Sequence, residues 1–418
     1  MERSVYSPGA GHQPPVLAGR DDLIQSWELM TNDVLAAGRV HARDLLLLGP
    51  RGIGKTVALT RLGEVAEQAG YLVIDLQAVR GQTTLVASLL DHAETQLEDR
   101  HSAWQTVRRH VDSLRLSLTA FGVGAGVDFS ARTGSSGGGT APGRVARMLA
   151  DLAEAVSTGQ PGRGGVMVSI DEIQAATPDD LVLLAAALQR LNVNHPQARV
   201  LFAATGLPYT RDSLNRAGVT HPERLFTAVL LPVVLEESEA RRAVVEPALA
   251  RGVLWQPQAV DELLRVTNGY PAHLQLFADA AWRVAENQQI TLADVQTATA
   301  QVVTALADGT FDPRWASLPN RQREYLAALA AQGGVASAAT MSRVLGRRAS
   351  DLSRARDQAI KAGDVYSPRR GEVRLSVPLF GQYVLSHYEA DRLAADDPDG
   401  MVSLQQMQQV RAAPELGQ

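Results

Sequence analysis

The segment Gly49-Pro50-Arg51-Gly52-Ile53-Gly54-Lys55-Thr56 fits the spacing G-x-x-x-x-G-K-[ST], and its flanks dictate how the surrounding chain must fold. Ahead of it, Arg43-Asp44 leads into the apolar run Leu45 to Leu48, short and unbroken as a parallel strand buried on both faces should be. Behind it, Ala58, Leu62, Val65, Ala66 and Ala69 recur at helical spacing, and Gly70 stands where a C-terminal cap belongs. A glycine-rich loop between strand and helix offers backbone N–H groups and a helix N-terminus to an anion. Only two lysines occur in the chain, and Lys55 is one of them. Arginine carries nearly every other positive charge, so a lysine here implies a compact ammonium between β and γ phosphates, where a planar guanidinium would not fit. Gly49 through Val57 are therefore expected to bind a nucleotide, with the Thr56 hydroxyl ligating Mg²⁺.

At 418 residues the chain is too long for one ordinary core. The absence of cysteine excludes disulfides, thiol catalysis and cysteine-ligated zinc, and it fits a reducing compartment. Met1 to Pro15 is polar and rich in Gly and Pro, without an apolar core of signal-peptide length, and no stretch approaches the roughly 20 apolar residues that span a bilayer. A soluble cytoplasmic protein with no membrane partner is expected. The net charge of −5 is unevenly placed. Arg321 to Tyr388 holds eleven basic residues against five acidic ones, a net +6 that leaves −11 to the remainder. An acidic body with a basic module is the layout of a regulated DNA binder.

Residues 1–15 read as a disordered N-terminus. From 16 to 235, strand and helix patterns alternate, as in an α/β domain with a mostly parallel sheet. Its strands are expected at Leu45 to Leu48, Tyr71 to Leu76, Val166 to Asp171, Val200 to Thr205 and Phe226 to Leu231. An insertion at about 114–143 combines an alternating, glycine-punctuated hairpin pattern at Leu114 to Ser130 with a Gly/Ser-rich stretch at Thr133 to Gly143. Residues 236–310 are purely helical in pattern, a small lid domain. Residues 315–390 read as a winged helix-turn-helix, with helices at Arg321 to Ala331, Ala338 to Leu345 and Ser350 to Ala362. Its wing would pair Val365-Tyr366 with Val373 to Val377. The tail, 391–418, is polar, with room for one short helix.

Val166-Met167-Val168-Ser169-Ile170-Asp171-Glu172 is an apolar strand closed by two carboxylates. Asp171 is expected to hold Mg²⁺, directly or through water, and Glu172 to polarise the attacking water. Thr205 ends another strand and either meets the γ-phosphate or starts the turn at Gly206-Leu207-Pro208. Arg224 either stabilises charge on a phosphate of its own or a neighbouring subunit, or is a solvated charge at a helix end. A guanine site of the small-GTPase type needs Asn-Lys-x-Asp, yet the other lysine, Lys361, sits between Ile360 and Ala362. Adenine is the expected base.

These residues resemble the AAA+ and STAND branch of P-loop ATPases, and most closely the origin-recognition-like AAA ATPases. The resemblance runs from about Leu17 to Leu385. It rests on Leu17-Ala18-Gly19-Arg20-Asp21, similar to the opening box of that group, on the Gly49 to Thr56 loop, and on Ile170-Asp171-Glu172. Thr205, Arg224 and Asn268-Gly269-Tyr270-Pro271 complete it. It implies a P-loop AAA+ sheet domain followed by a helical lid and a C-terminal winged helix. It also implies that Arg20 and Pro271 touch ATP or ADP, although Arg20 fits equally as a helix cap and Pro271 as a first-turn proline. One departure stands out. Many such proteins carry an arginine just after this lid motif, and here Ala272 and His273 follow Pro271, which favours a slow nucleotide switch over a processive motor. Two functions are open: an ATP-driven switch whose winged helix binds double-stranded DNA or mediates self-association, and a signalling scaffold whose winged helix contacts protein. A remodelling ring of identical copies is a third.

Overall fold

The computed structural model describes residues 3–9, 11–41, 43–80, 85–97, 140–157, 164–369, 371–395 and 400–411. These divide into two compact units. One comprises Arg20–Gly49 and Lys55–Leu231; the other comprises Met1–Gly19, Pro50–Gly54 and Pro232–Gln418.

The first unit runs α1 (Asp21–Ala37), β1 (Asp44–Leu48), α2 (Lys55–Gln68), β2 (Tyr71–Gln77), α3 (Leu85–Leu97) and α4 (Ala141–Ser157). It continues with β3 (Gly165–Asp171), α5 (Pro178–Asn194), β4 (Val200–Gly206), α6 (Thr210–Ala217), α7 (Pro222–Leu225) and β5 (Phe226–Leu230). The five strands form one parallel sheet in the order β2-β3-β4-β1-β5, each within one residue of its expected bounds. Leu46 and Leu47 of β1 are fully buried, as a strand flanked on both faces requires. Helix starts follow local chemistry. At α5 the Thr177 side chain accepts from the Asp180 backbone N–H at 3.1 Å, and Pro178 occupies the first turn, where it needs no N–H. The hairpin expected at Leu114 to Ser130 lies outside the described residues, whereas Ala141–Gly143 of the expected Gly/Ser stretch open α4.

The second unit runs α8 (Glu237–Leu249), β6 (Leu254–Trp255), α9 (Pro257–Thr267), α10 (Pro271–Val284), β7 (Gln289–Ile290) and α11 (Leu292–Leu306). A widened helical turn, Ala307–Phe311, leads into α12 (Asp312–Ala316). After it come α13 (Asn320–Ala331), β8 (Val335–Ser337), α14 (Ala338–Leu345), α15 (Ala349–Ala362), β9 (Val365–Tyr366), β10 (Glu372–Leu375), α16 (Pro378–Leu393) and α17 (Leu404–Arg411). The region expected to be purely helical also holds the short parallel pair β6·β7. The expected two-stranded wing is joined by β8, giving an antiparallel sheet in the order β8-β10-β9.

Within the N-terminal stretch read as disordered, Tyr6 is buried in this unit's core. Its hydroxyl donates to the Val244 carbonyl at 2.5 Å and accepts from Trp255 Nε1 at 2.9 Å, and its ring meets Trp255 and Trp282 edge-on. Residues 400–411 of the tail are likewise tied down. Glu324 is fully buried on α13 and takes Arg347 through two contacts of 2.5 and 3.0 Å, Arg321 at 3.2 Å and the Val402 N–H at 2.9 Å. Met407 of α17 is fully buried against the same unit. Among the described residues, no helix is long and apolar enough to cross a membrane.

Two predictions follow from buried polar groups of this unit. Arg347→Ala leaves the buried Glu324 carboxylate facing the largely exposed Arg321, and denaturant unfolding should register a loss of about 3 kcal/mol or more. His273 is 5% exposed, and burial pushes its imidazole down from 6.5 to about 4. The unfolded chain then binds the extra proton first, so stability is fully present above about pH 6.5 and falls as pH drops toward 4. The stability of His273→Leu relative to the unaltered chain should rise by up to about 3 kcal/mol between pH 7 and pH 4.

Candidate nucleotide-binding site

The tips of β1, β3 and β4 meet at one end of the sheet. Leu48 pairs with Gly206, Leu47 with Thr205, and Ile170 with Ala204, so Asp171 stands beside Thr205 at the carboxyl ends of adjacent strands. That is the edge where open α/β sheets take ligands. The turn after β1 holds Gly52 and Gly54 in left-handed conformations, φ 75° and 85°, and Lys55 opens α2. Lys55 is only 5% exposed, and its ammonium lies 3.6 Å from Glu172 Oε1. A buried ammonium is costly without an anionic neighbour. Here Glu172 supplies one, at the position where the spacing of the loop expects phosphate.

Both Asp171 oxygens are engaged. Oδ2 accepts from Thr56 Oγ1 at 2.9 Å, and Oδ1 accepts from the fully buried Thr205 hydroxyl and from the Glu172 N–H at 3.1 Å. The same Glu172 N–H lies 3.0 Å from Thr205 Oγ1. Thr205 is thus turned onto the acidic pair. Glu172 itself adopts the left-handed region, φ 54° and ψ 42°, a strained choice for a residue with Cβ that persists only where surroundings fix it. The shared N–H and the hydrogen bond from Ala175 N to Glu172 O, 2.8 Å, do so. A hydroxyl and a carboxylate oxygen side by side match the hard-oxygen preference of Mg²⁺, which otherwise keeps water and phosphate ligands.

Arg20, directly ahead of α1, is 3% exposed, and burial pulls its guanidinium below the usual arginine range. Within the second unit, Pro271 starts α10; the Tyr270 hydroxyl donates to the Arg51 carbonyl at 2.5 Å, and the Ala272 N–H to the Gly52 carbonyl at 3.1 Å. A Cβ on Gly52 would run into that tyrosine hydroxyl, which adds a second reason for glycine there. Arg224 is exposed on α7, two residues ahead of Phe226, which pairs with Asp44 at the start of β1. The loop follows the far end of β1, roughly 13 Å along the strands at about 3.3 Å per residue. The backbone at Arg224 and the end of β1 that leads into the loop therefore lie at opposite ends of the sheet. Sequence reasoning missed Gln174, whose amide touches Glu172; a glutamine two residues after an acidic pair carries no pattern of its own.

Residues 16–202 match the family model described as AAA ATPase domain, and residues 308–384 match one described as a domain of unknown function. No curated protein matches the sequence. Among solved structures, the chain is similar to the Aeropyrum pernix ORC2 protein in its ADPNP-ADP complexes, at 14% identity, covering 94% of this chain and 100% of that one, with a TM-score of 0.53. It is also similar to a Walker-type ATPase of Pyrococcus abyssi, at 16% identity, 90% and 97% coverage and a TM-score of 0.55. At these identities the likeness is one of fold. The match over residues 16–202 to an AAA ATPase domain model agrees with the fold likeness, a parallel-sheet P-loop fold of the kind seen in the ORC2 protein.

Proposed function

We propose that this chain binds ATP with Mg²⁺ at the tips of β1, β3 and β4 and hydrolyses it slowly, as a switch that changes the availability of its C-terminal region. The observation that carries this reading is the convergence of Lys55, Thr56, Asp171 and Glu172 at one sheet edge. Lys55 holds the β and γ phosphates, and Glu172 orients water against the γ phosphorus. Thr56 and Asp171 would hold Mg²⁺, which would supply positive charge to the bound triphosphate. Thr205 acts by fixing Asp171 and the Glu172 backbone.

Slow turnover has a physical basis. Ala272 and His273 stand where an arginine would add positive charge, and Arg224 serves a phosphate only in a second copy of the chain. Hydrolysis is then paced by self-association, so a homo-oligomer belongs to this reading, as does a cytoplasmic setting. The working parts are the ATPase domain over 16–235, the helical lid over 236–310 and a winged helix over 315–390, followed by the tail at 391–418. The order α13, β8, α14, α15, β9, β10 supports the winged-helix reading. A switch requires that ATP and ADP favour different poses of these parts, since a ligand binding both equally moves nothing.

For the winged helix, contact with protein is the better supported role. Of the arginines that suggested DNA, Arg347 is turned onto buried Glu324, while Arg348, Arg356 and Arg369 face Asp351, Asp357 and Glu372 at 3.3, 3.0 and 2.5 Å. Cations already matched by carboxylates release few counterions on meeting a duplex.

Two measurements test the reading. Lys55→Ala should lose both ATP binding and turnover, whereas Glu172→Gln should keep binding and lose turnover by about 10²-fold or more; full turnover in either variant refutes the assignment. Duplex DNA titrated at several salt concentrations should give no saturable binding. A log–log salt slope of about −0.9 per neutralised phosphate would reinstate the DNA role.

A further inference from the structure

Gln174 lies in the short helical turn Ile173–Ala175, half-buried, and its side-chain amide bridges two parts of the site. Its Nε2 donates to Glu172 Oε2 at 2.6 Å, and its Oε1 accepts from the Leu207 N–H at 3.1 Å. The orientation of the amide follows from its neighbours. A backbone N–H only donates and an ionised carboxylate only accepts, so the carbonyl end must face Leu207 and the NH₂ end Glu172. Thr210 Oγ1 also approaches Oε1, at 3.4 Å, but its single proton goes to the Leu207 carbonyl at 2.6 Å. Leu207 follows Gly206, the last residue of β4, and Leu207 and Thr210 are both buried. The anchor of Gln174 is therefore the tip of β4, the strand that also supplies Thr205.

The carboxylate of Glu172 is thus divided: Oε1 faces the Lys55 ammonium at 3.6 Å, and Oε2 takes the Gln174 amide. A bound triphosphate would draw the ammonium to itself. What then keeps the carboxylate in place is Gln174, together with the backbone bonds at Glu172. We propose that Gln174 is a positioning residue for hydrolysis, an amide tether that holds the Glu172 carboxylate in its water-orienting pose and ties that pose to the tip of β4. The inference rests on the reading of Glu172 as the water-orienting group and names what sets its aim. Misplacement of a catalytic group by about 1 Å is enough to lose two orders of magnitude in rate.

Two variants separate tethering from propping. Gln174→Leu removes both bonds. Gln174→Glu is nearly isosteric, keeps an acceptor for Leu207 N–H, and replaces the donor that faces Glu172 with a like charge. Steady-state ATPase kinetics and ATP affinity are measured on the full chain for both, beside Glu172→Gln. The expected result is a fall in kcat of about tenfold or more in both variants, with KM and ATP affinity within about twofold of the unaltered chain. Wild-type kcat in Gln174→Glu with a deficit only in Gln174→Leu would reduce Gln174 to a prop for the loop and overturn the proposal, as would unchanged kcat in both. If Glu172→Gln loses turnover while both Gln174 variants retain it, this inference alone fails. If Glu172→Gln is fully active, the reading beneath it fails too.

Discussion

A positive charge kept almost out of water organises this molecule. The Lys55 ammonium, 5% exposed at the start of α2, has to face negative charge, and the fold delivers that charge from the adjoining strand tips. The parallel order β3-β4-β1 sets the carboxyl ends of three strands side by side. Consecutive register then brings Asp171 and Thr205 beside the end of β1 although they are distant in sequence. Once that geometry exists, each polar group in it has a defined role: Thr56 and Thr205 occupy the two oxygens of Asp171, and the strained backbone of Glu172 aims its carboxylate back at Lys55.

The proposed slow turnover rests on the same arrangement. Charge developing on a transferred phosphoryl group needs positive charge beyond the loop lysine and the metal. Arg224 sits at the opening end of the strands, and the lid motif is followed by alanine and histidine. The His273 side chain, pushed down to about 4 by burial, stays neutral at physiological pH and gives no substitute for an arginine.

Much of this was legible in sequence because its signals are local. The apolar run before Gly49, the glycine spacing, the acidic pair after Ile170 and the five strands all follow from short patterns. What escaped depends on partners far along the chain. Tyr6 lies in a stretch rich in Gly and Pro, and only its packing against Val244, Trp255 and Trp282 orders it. The pair β6·β7 is too short to leave a periodic trace, and β8 becomes a strand because β10 lies beside it. Arg347 reads as a surface cation until Glu324 is found beneath it. Gln174 and the turned hydroxyl of Thr205 are consequences of strand register, which no single segment encodes.

The central proposal is that Lys55, Thr56 and the acidic pair closing β3 grip one triphosphate with its metal. Calorimetric titration of the full-length chain with ATP, with and without Mg²⁺, addresses it directly. The account predicts saturable binding of one ATP per chain with a dissociation constant on the order of micromolar, about −8 kcal/mol, weakened when Mg²⁺ is withheld. Absence of binding at millimolar Mg²⁺-ATP would contradict it.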